Sequence, residues 1–176
     1  MVNIKVSFIL IIAGLLCLTS VIMSLYSIST AEWSIIGTFS IGLFQTCTIS
    51  QCMKNRYENI NNETEPPIIF SKRFYNVAPL SVVGVFIQLV VCFLFFFTAF
   101  RYLPLKPSIT CYITPLLIFI AFLFQLSTLT EASRGIYLNG RSSVVFEVTL
   151  VLQVIAIVIS IMVADQVKKT AGIEDA

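Results

Sequence analysis

Few residues of this chain have types and spacings that could do chemistry, and the most compact group is a pair of cysteines. Cys47 and Cys52 are separated by the four residues TISQ, whereas a thiol oxidoreductase needs the shorter Cys-x-x-Cys spacing. The chain has no histidine, which removes the commonest general base and the commonest metal ligand. The sequence also lacks a nucleophile elbow, a phosphate-binding loop and a cluster of carboxylates. We therefore predict that the protein is not an enzyme and uses no metal or cofactor.

The elements that must position these residues are four long apolar segments. Hydrophobic residues make up 57% of the chain and charged residues only 11%, against about 25% charged in soluble domains. Each segment has roughly the 20 residues that a helix needs to cross a bilayer, where lipid leaves backbone groups no water partner. The sequence predicts one domain over residues 1–176, in contact with the lipid bilayer and with other membrane proteins. The predicted spans cover about residues 6–26, 78–100, 109–129 and 144–163.

The first span could instead be a cleaved signal peptide. Lys5 supplies a basic start, and Ser29–Ala31 has the small residues that a signal peptidase prefers. The apolar stretch is longer than the 7–15 residues of a typical signal-peptide core, so we expect the span to be retained. Cleavage would leave three spans and place the two termini on opposite sides.

Basic residues indicate the orientation of the spans. Short cytosolic segments carry an excess of lysine and arginine, whereas long loops cross largely regardless of charge. With the amino terminus inside, the cytosolic side holds Lys5, Arg101, Lys106, Lys168 and Lys169, and the short loop 130–143 holds Arg134 and Arg141. The glycosylation sequon at Asn62 then lies outside, in the long loop 27–77. We predict a multi-pass plasma-membrane glycoprotein with both termini, including the tail 164–176, in the cytosol. The net charge of +2 is too small to indicate nucleic-acid binding.

The long loop 27–77 has the composition of a small β-sheet. Its stretch EWSIIGTFSIGLFQTCTIS is rich in Ile, Thr and Phe and lacks helical periodicity. A four-residue hairpin loop would place Cys47 and Cys52 opposite each other at a spacing that a disulfide can bridge. Because the outside is oxidising, we predict that this disulfide forms.

The other cysteines lie in or beside the spans. Cys17 and Cys92 lie within spans, where we expect plain packing. Cys111 is close to the cytosolic start of the third span, a position at which palmitoylation is possible.

Polar side chains inside the spans are expected to bind one another. Gln88, Gln125 and Gln153 each lie in a different span, and Gln88 and Gln153 could share a depth. We favour hydrogen bonds between helices over a polar path. Glu147, near the outer end of the fourth span, is expected to snorkel or to pair with one of the two arginines of the loop 130–143.

The topology and one loop motif together resemble the claudin superfamily, which includes claudins, peripheral myelin protein and the γ subunits of calcium channels and glutamate receptors. The family signature is a Trp, then Gly-Leu-Trp, then two cysteines, and an arginine often precedes the second span. Here Phe44 stands in place of the second Trp, and the cysteines are closer together than in most members. The matching residues are Trp33, Gly42, Leu43, Phe44, Cys47, Cys52 and Arg73.

The resemblance implies a four-helix transmembrane bundle with a small extracellular antiparallel β-sheet. One strand of that sheet would come from the second outer loop. Trp33, Leu43 and Phe44 would be buried against the outer helix ends, with the Trp nitrogen near water. In the second loop, Asn139-Gly140 predicts a tight turn with positive φ.

Two functions are compatible with this resemblance. The first is cell–cell contact or barrier formation at a cell junction, and the second is service as an auxiliary, γ-like subunit of an ion channel or receptor. Tyr137 and Leu138, just before the predicted turn, are possible partner contacts. The second loop lacks a proline, and the end GIEDA lacks the hydrophobic final residue that PDZ domains capture. Both features weaken a tight-junction interpretation, but we favour the contact function because the whole outer surface is a small sheet suited to protein contact.

Overall fold

The computed structural model describes residues 4–55, 76–100 and 107–171. The predicted combination of four long apolar helices with a small antiparallel sheet is confirmed. Each helix contains a stretch long and apolar enough to cross a membrane. The helices are α1 (Ile4–Ser29), α2 (Val77–Ala99), α3 (Pro107–Gly135) and α4 (Arg141–Ala171), and the strands are β1 (Ser34–Ile36), β2 (Phe39–Ile41), β3 (Gln45–Cys47) and β4 (Cys52–Lys54).

The helices are longer than the apolar segments that predicted them. α3 begins at Pro107, where the fixed φ of proline suits the first helical position and its missing N–H costs no hydrogen bond. It continues to Gly135, and α4 begins at Arg141. The predicted loop 130–143 is therefore reduced to residues 136–140. The helices continue into polar residues because helical hydrogen bonds are made by the backbone. The length of an apolar run therefore predicts the span but not the ends of the helix.

The four helices form a ring in which each one packs against its neighbours in sequence, and α4 closes the ring against α1. α1 is antiparallel to α2, since Gly14 of α1 contacts Cys92 while Ser20, further along α1, contacts the earlier residue Gln88. α1 is antiparallel to α4 as well, since Ser20 bonds Thr149 and Ser27 bonds the earlier residue Ser142. α2 approaches α3 closely at Gly84, where an added Cβ would lie 2.9 Å from the Gln125 side chain. Small residues of this kind let helices pack tightly in lipid.

A layer of buried hydrogen bonds connects all four helices. Gln125 Nε2 donates to Gln88 Oε1 at 2.7 Å, and Gln88 Nε2 donates to Ser20 Oγ at 2.7 Å. Ser20 Oγ in turn donates to the Thr149 carbonyl at 3.2 Å. The Ser24 hydroxyl donates to Gln125 Oε1 at 3.4 Å. The Thr149 hydroxyl lies at 3.4 Å from the same oxygen but has its short hydrogen bond to the Phe146 carbonyl, at 2.6 Å. The expected hydrogen bonding between helices is thus confirmed for two of the three glutamines.

Gln153 differs from the other two glutamines. It is buried with 1% of its surface exposed, yet neither its amide nitrogen nor its amide oxygen has a hydrogen-bond partner among the described residues. The expected pairing is wrong here, because Gln88 and Gln125 already satisfy each other across α2 and α3.

The sheet is antiparallel, with strand order β1-β2-β3-β4. All four strands come from the first loop, and within the described ranges the second loop contributes none, so the implied strand from that loop is wrong. The β1–β2 turn contains Gly37 at φ +60°, a conformation that glycine adopts without steric cost. The register places Cys47 directly opposite Cys52.

The two buried glutamines predict opposite effects of one substitution. Gln125→Leu should destabilise the bundle by about 1–2 kcal/mol, because Gln88 loses a donor and Ser24 an acceptor inside the core. Gln153→Leu should leave stability unchanged or raise it by about 1 kcal/mol. It replaces an amide that has no hydrogen-bond partner with an apolar side chain of similar size. Thermal unfolding in detergent measures both. A loss for Gln153→Leu as large as that for Gln125→Leu would contradict the assignment.

Candidate interaction site at the sheet end of the bundle

Trp33 is the centre of the sheet end. Its side chain is completely buried, and its ring lies 5.1 Å from that of Phe146 on α4. The indole Nε1–H donates to the Ser27 carbonyl at 2.8 Å. Ser27 lies in the last turn of α1, where carbonyls lack partners within the helix. The expectation that the Trp nitrogen stays near water is therefore wrong, because this free carbonyl satisfies it inside the core.

The hydrophobic cluster around Trp33 draws on every helix. Leu43 of the loop motif is also completely buried in it. Because its members come from the first loop and from all four helices, this cluster fixes the sheet on the bundle. Its helix residues are Val21 and Ile28 from α1, Val77 and Val85 from α2, Ala132 from α3 and Phe146 from α4.

Gly42 and Phe44, on either side of Leu43, have different environments. A Cβ on Gly42 would lie only 2.5 Å from the Ala31 Cα and the Thr30 carbonyl oxygen, so a larger residue does not fit. Phe44 is 42% exposed, and the expectation that it is buried with Trp33 is wrong. Leu43 occupies the buried position, which leaves its neighbour at the surface.

The predicted disulfide between Cys47 and Cys52 is confirmed. It joins β3 and β4 on either side of a turn in which the Thr48 N–H donates to the Gln51 carbonyl at 2.8 Å. The hairpin therefore has a covalent bond and a backbone hydrogen bond holding its two strands together.

Asn55 fixes the end of this hairpin to the Gly-Leu-Phe segment. Its Nδ2 donates to the Gly42 carbonyl at 2.8 Å, and its backbone N–H donates to the Phe44 carbonyl at 2.9 Å. Its Oδ1 accepts from the Thr46 hydroxyl at 2.7 Å. The sequence analysis missed this residue, because a single asparagine after a strand carries no distinctive signal.

The second loop docks against the open edge of β1. The Asn139 side chain accepts from the Ile35 N–H at 2.8 Å and donates to the Ile35 carbonyl at 2.9 Å. The next residue, Gly140, donates its N–H to the Trp33 carbonyl at 3.1 Å. A side-chain amide thus makes the two hydrogen bonds that a neighbouring strand would make, and it covers an edge otherwise open to pairing.

The role of Gly140 differs from the one expected. Among the described glycines only Gly37 has positive φ, so the expected positive φ at Gly140 is wrong. A Cβ at Gly140 would overlap the carbonyl oxygen of Glu32. Glycine is needed at this position for close approach of two backbones rather than for an unusual conformation.

The remaining candidate residues are placed as follows. Tyr137 is 82% exposed and accessible to a partner. Leu138 is partly buried against the Trp33 cluster and is therefore less accessible. Cys111 lies in α3, but its side chain is outside the described part of the chain. Asn62 and Arg73 also lie outside the described residues.

Most exposed side chains of the sheet are apolar. The one charged residue in its four strands is Lys54, exposed at the end of β4, and residues 33–53 include no charged residue. Surface charge normally separates the strands of one molecule from those of another, and exposed apolar patches mark interaction sites. The sheet end is therefore a candidate protein-contact surface. Its exposed large apolar residues are Ile35, Ile36, Phe39, Phe44, Ile49 and Met53.

Comparisons with known proteins do not identify a function for this surface. No protein-family model matches the chain, and no curated protein matches it in sequence. The geometry offers a sheet rigidly fixed to a helix bundle, with apolar side chains exposed beyond the fixed part.

The two glycines Gly37 and Gly140 predict different tolerance of the same substitution. Gly37→Asn should change stability by less than about 0.5 kcal/mol, because asparagine tolerates positive φ and no atom lies within 4 Å of the new Cβ. Gly140→Asn should destabilise by more than about 2 kcal/mol, because its side chain would collide with the Glu32 backbone. Thermal unfolding in detergent compares them. If Gly140→Asn is tolerated like Gly37→Asn, close approach is not the reason for Gly140.

Proposed function

We propose that this chain is a claudin-like integral membrane protein of the plasma membrane, acting through its outer loops in cell–cell contact or barrier formation. The observation that carries the proposal is the largely apolar surface of the sheet, on which Lys54 at the end of β4 is the one charged strand residue, held on the bundle by the Trp33 cluster. An exposed apolar patch with so little charge is suited to contact with another protein rather than to prolonged exposure to water.

Placement in a membrane is supported by the outer faces of the helices. On α2, for example, Phe86, Phe93 and Phe97 are 65%, 54% and 43% exposed. Several aromatic side chains exposed along one helix would be unfavourable in water, whereas contact with lipid acyl chains is favourable for them. The disulfide between Cys47 and Cys52 supports placing the sheet on the oxidising, extracellular side.

Resemblance to the claudin superfamily is supported by how the motif is used. Trp33 and Leu43 enter one core with all four helices, Gly42 fits where no side chain can, and the two cysteines close the hairpin. Among the described motif residues, all but Phe44 thus have a structural role at the junction of sheet and bundle.

The proposed topology is tested at the sequon. In cells with a secretory pathway, the parent protein should carry a glycan that a glycosidase removes, because only an extracellular Asn62 meets the transferase. Asn62→Gln should abolish the mobility shift, whereas the adjacent Asn61→Gln should keep it, since Asn61 is not part of a sequon. Tags at both termini should stay inaccessible to antibody on intact cells. Labelling of either tag without permeabilisation would reverse or reject the orientation.

The contact function is tested at the β3–β4 turn, where neighbouring residues allow a matched pair. Ile49 is 86% exposed, and Ser50 beside it is exposed as well. Both Ile49→Asp and Ser50→Asp add one charge without disturbing the core, so both variants should reach the cell surface. Only Ile49→Asp should reduce accumulation where two expressing cells touch, by several-fold, because it replaces an apolar contact.

The results have direct interpretations. If the parent protein shows no enrichment at contacts between expressing cells, the contact function is wrong. If Ile49→Asp and Ser50→Asp behave alike while the parent is enriched, contact is made elsewhere than at this turn.

A second candidate function is that of an auxiliary, γ-like subunit that modulates an ion channel or receptor. One observation favours it. Glu147 is exposed on α4, directly after Phe146 of the Trp33 cluster, and a carboxylate on the outer side of a helix is suited to a partner within the same membrane.

A further inference from the structure

One face of α4 points away from the bundle. α4 packs against α1 and α3, and the residues on its opposite side recur every three or four positions, as one helix face requires. Val144, Val148 and Val151 on this face are 55%, 42% and 59% exposed. The face continues along the helix through Ile155, Val158 and Met162. It is a nearly uniform row of apolar side chains.

Glu147 interrupts this row. It is exposed between Val144 and Val148, two positions that lie on the same face. It follows the start of α4 by six residues, which corresponds to about 9 Å along a helix axis. If α4 spans a membrane, this carboxylate lies within the outer leaflet.

The partners expected for Glu147 are not used. Arg134 forms its ion pair with Glu131 at 2.8 Å, and among the described residues Glu147 has no ion-pair or hydrogen-bond partner, Arg141 included. Of the two expectations for Glu147, pairing with an arginine of the loop 130–143 is therefore wrong, and snorkelling towards the interface stays a prediction. Ionisable residues within a span are costly to expose to lipid, and those that occur usually pair with another charge.

We propose that this face of α4 binds the transmembrane helix of a partner protein, and that a lysine or arginine of the partner pairs with Glu147. The inference rests on the membrane placement proposed above and deepens the auxiliary-subunit function. Charge complementarity selects the cation, since a negative side chain in an apolar setting attracts a positive one. The valines supply a stiff packing surface, because β-branched side chains lose little freedom on contact.

A partner helix differs from a lipid in where it can place a positive charge. An ammonium headgroup could reach Glu147 only from the interface, with acyl chains covering the apolar row from Val148 to Met162 as on the other helices. A partner helix running along α4 would cover the row and bring its cation to the depth of the carboxylate. Headgroup binding is kept as an outcome of the experiment.

The experiment uses the full-length protein, reconstituted in phosphatidylcholine vesicles and labelled with a donor fluorophore. The probes are two acceptor-labelled peptides, each a leucine-rich transmembrane helix, with either arginine or leucine six residues from its outer end. We expect energy transfer to show at least tenfold tighter association of the arginine peptide with the parent protein. Glu147→Gln should remove this preference. Glu131→Gln should keep it, because that carboxylate lies on another helix and already has a partner.

The face itself is tested with an apolar variant. Val151→Trp should weaken association of the arginine peptide by changing the packing surface, whereas Phe93→Trp, an exposed aromatic exchange on α2, should not. Loss of the arginine preference with Val151→Trp and its retention with Phe93→Trp would support helix docking along α4.

Several results would overturn the proposal. Equal association of the two peptides with the parent protein rejects it, as does an arginine preference that survives Glu147→Gln. A preference that appears only in phosphatidylglycerol vesicles, which lack ammonium headgroups, means that a zwitterionic lipid occupies Glu147 instead. A parent protein that stays in solution without detergent rejects membrane placement and the proposal together. Failure of the cell-contact assay bears only on the contact function and leaves this inference standing.

Discussion

The hydrogen bond from the Trp33 indole to the Ser27 carbonyl is the contact on which the sheet end depends. A large aromatic side chain stabilises a core by the area it buries, but its N–H must find an acceptor there. The last turn of α1 has carbonyls without partners, and Ser27 provides one at 2.8 Å. The Trp33 backbone also donates to Ile41 and accepts from Gly140. One residue therefore fixes the end of a helix, the first strands and the second loop relative to one another.

The interior of the bundle is organised by hydrogen bonds rather than by apolar contact alone. In lipid, apolar side chains gain little by leaving their surroundings, so close packing and interhelical hydrogen bonds carry more of the association. The chain from Gln125 through Gln88 to Ser20 meets this requirement across three helices, and the Thr149 carbonyl, which accepts from Ser20, adds the fourth. This layer helps to specify which faces of the helices meet, because its bonds form only when these polar side chains lie at one depth.

Two surfaces, the sheet end and the outer face of α4, are not used in packing the bundle, and they face different directions. The sheet end carries mostly apolar exposed side chains beyond the end of the bundle, with Lys54 as the one charged strand residue, as contact between opposed membranes would require. The α4 face carries one carboxylate in an apolar row along the side of the bundle, as contact within one membrane would require. Because the two surfaces lie on separate elements, a contact function at one does not exclude a partner at the other.

The sequence by itself determined the features that depend on local spacing. Apolar run length predicted the four helices, and the four-residue separation of Cys47 and Cys52 predicted the disulfide. Residue type also indicated that Gln88 and Gln125 would bond between helices. These inferences need only the geometry of one element or the chemistry of one side chain.

Tertiary structure alone decided which distant groups meet. The Asn139 amide pairs with Ile35 across 104 positions of sequence, Gly140 approaches the Glu32 backbone, and Phe44 is left exposed when Leu43 takes the buried place. Among the described residues Glu147 has no ion-pair partner, while Arg134 pairs with Glu131 on its own helix. Such outcomes follow from how helix ends and loops pack in three dimensions, and spacing along the chain carries no information about that packing.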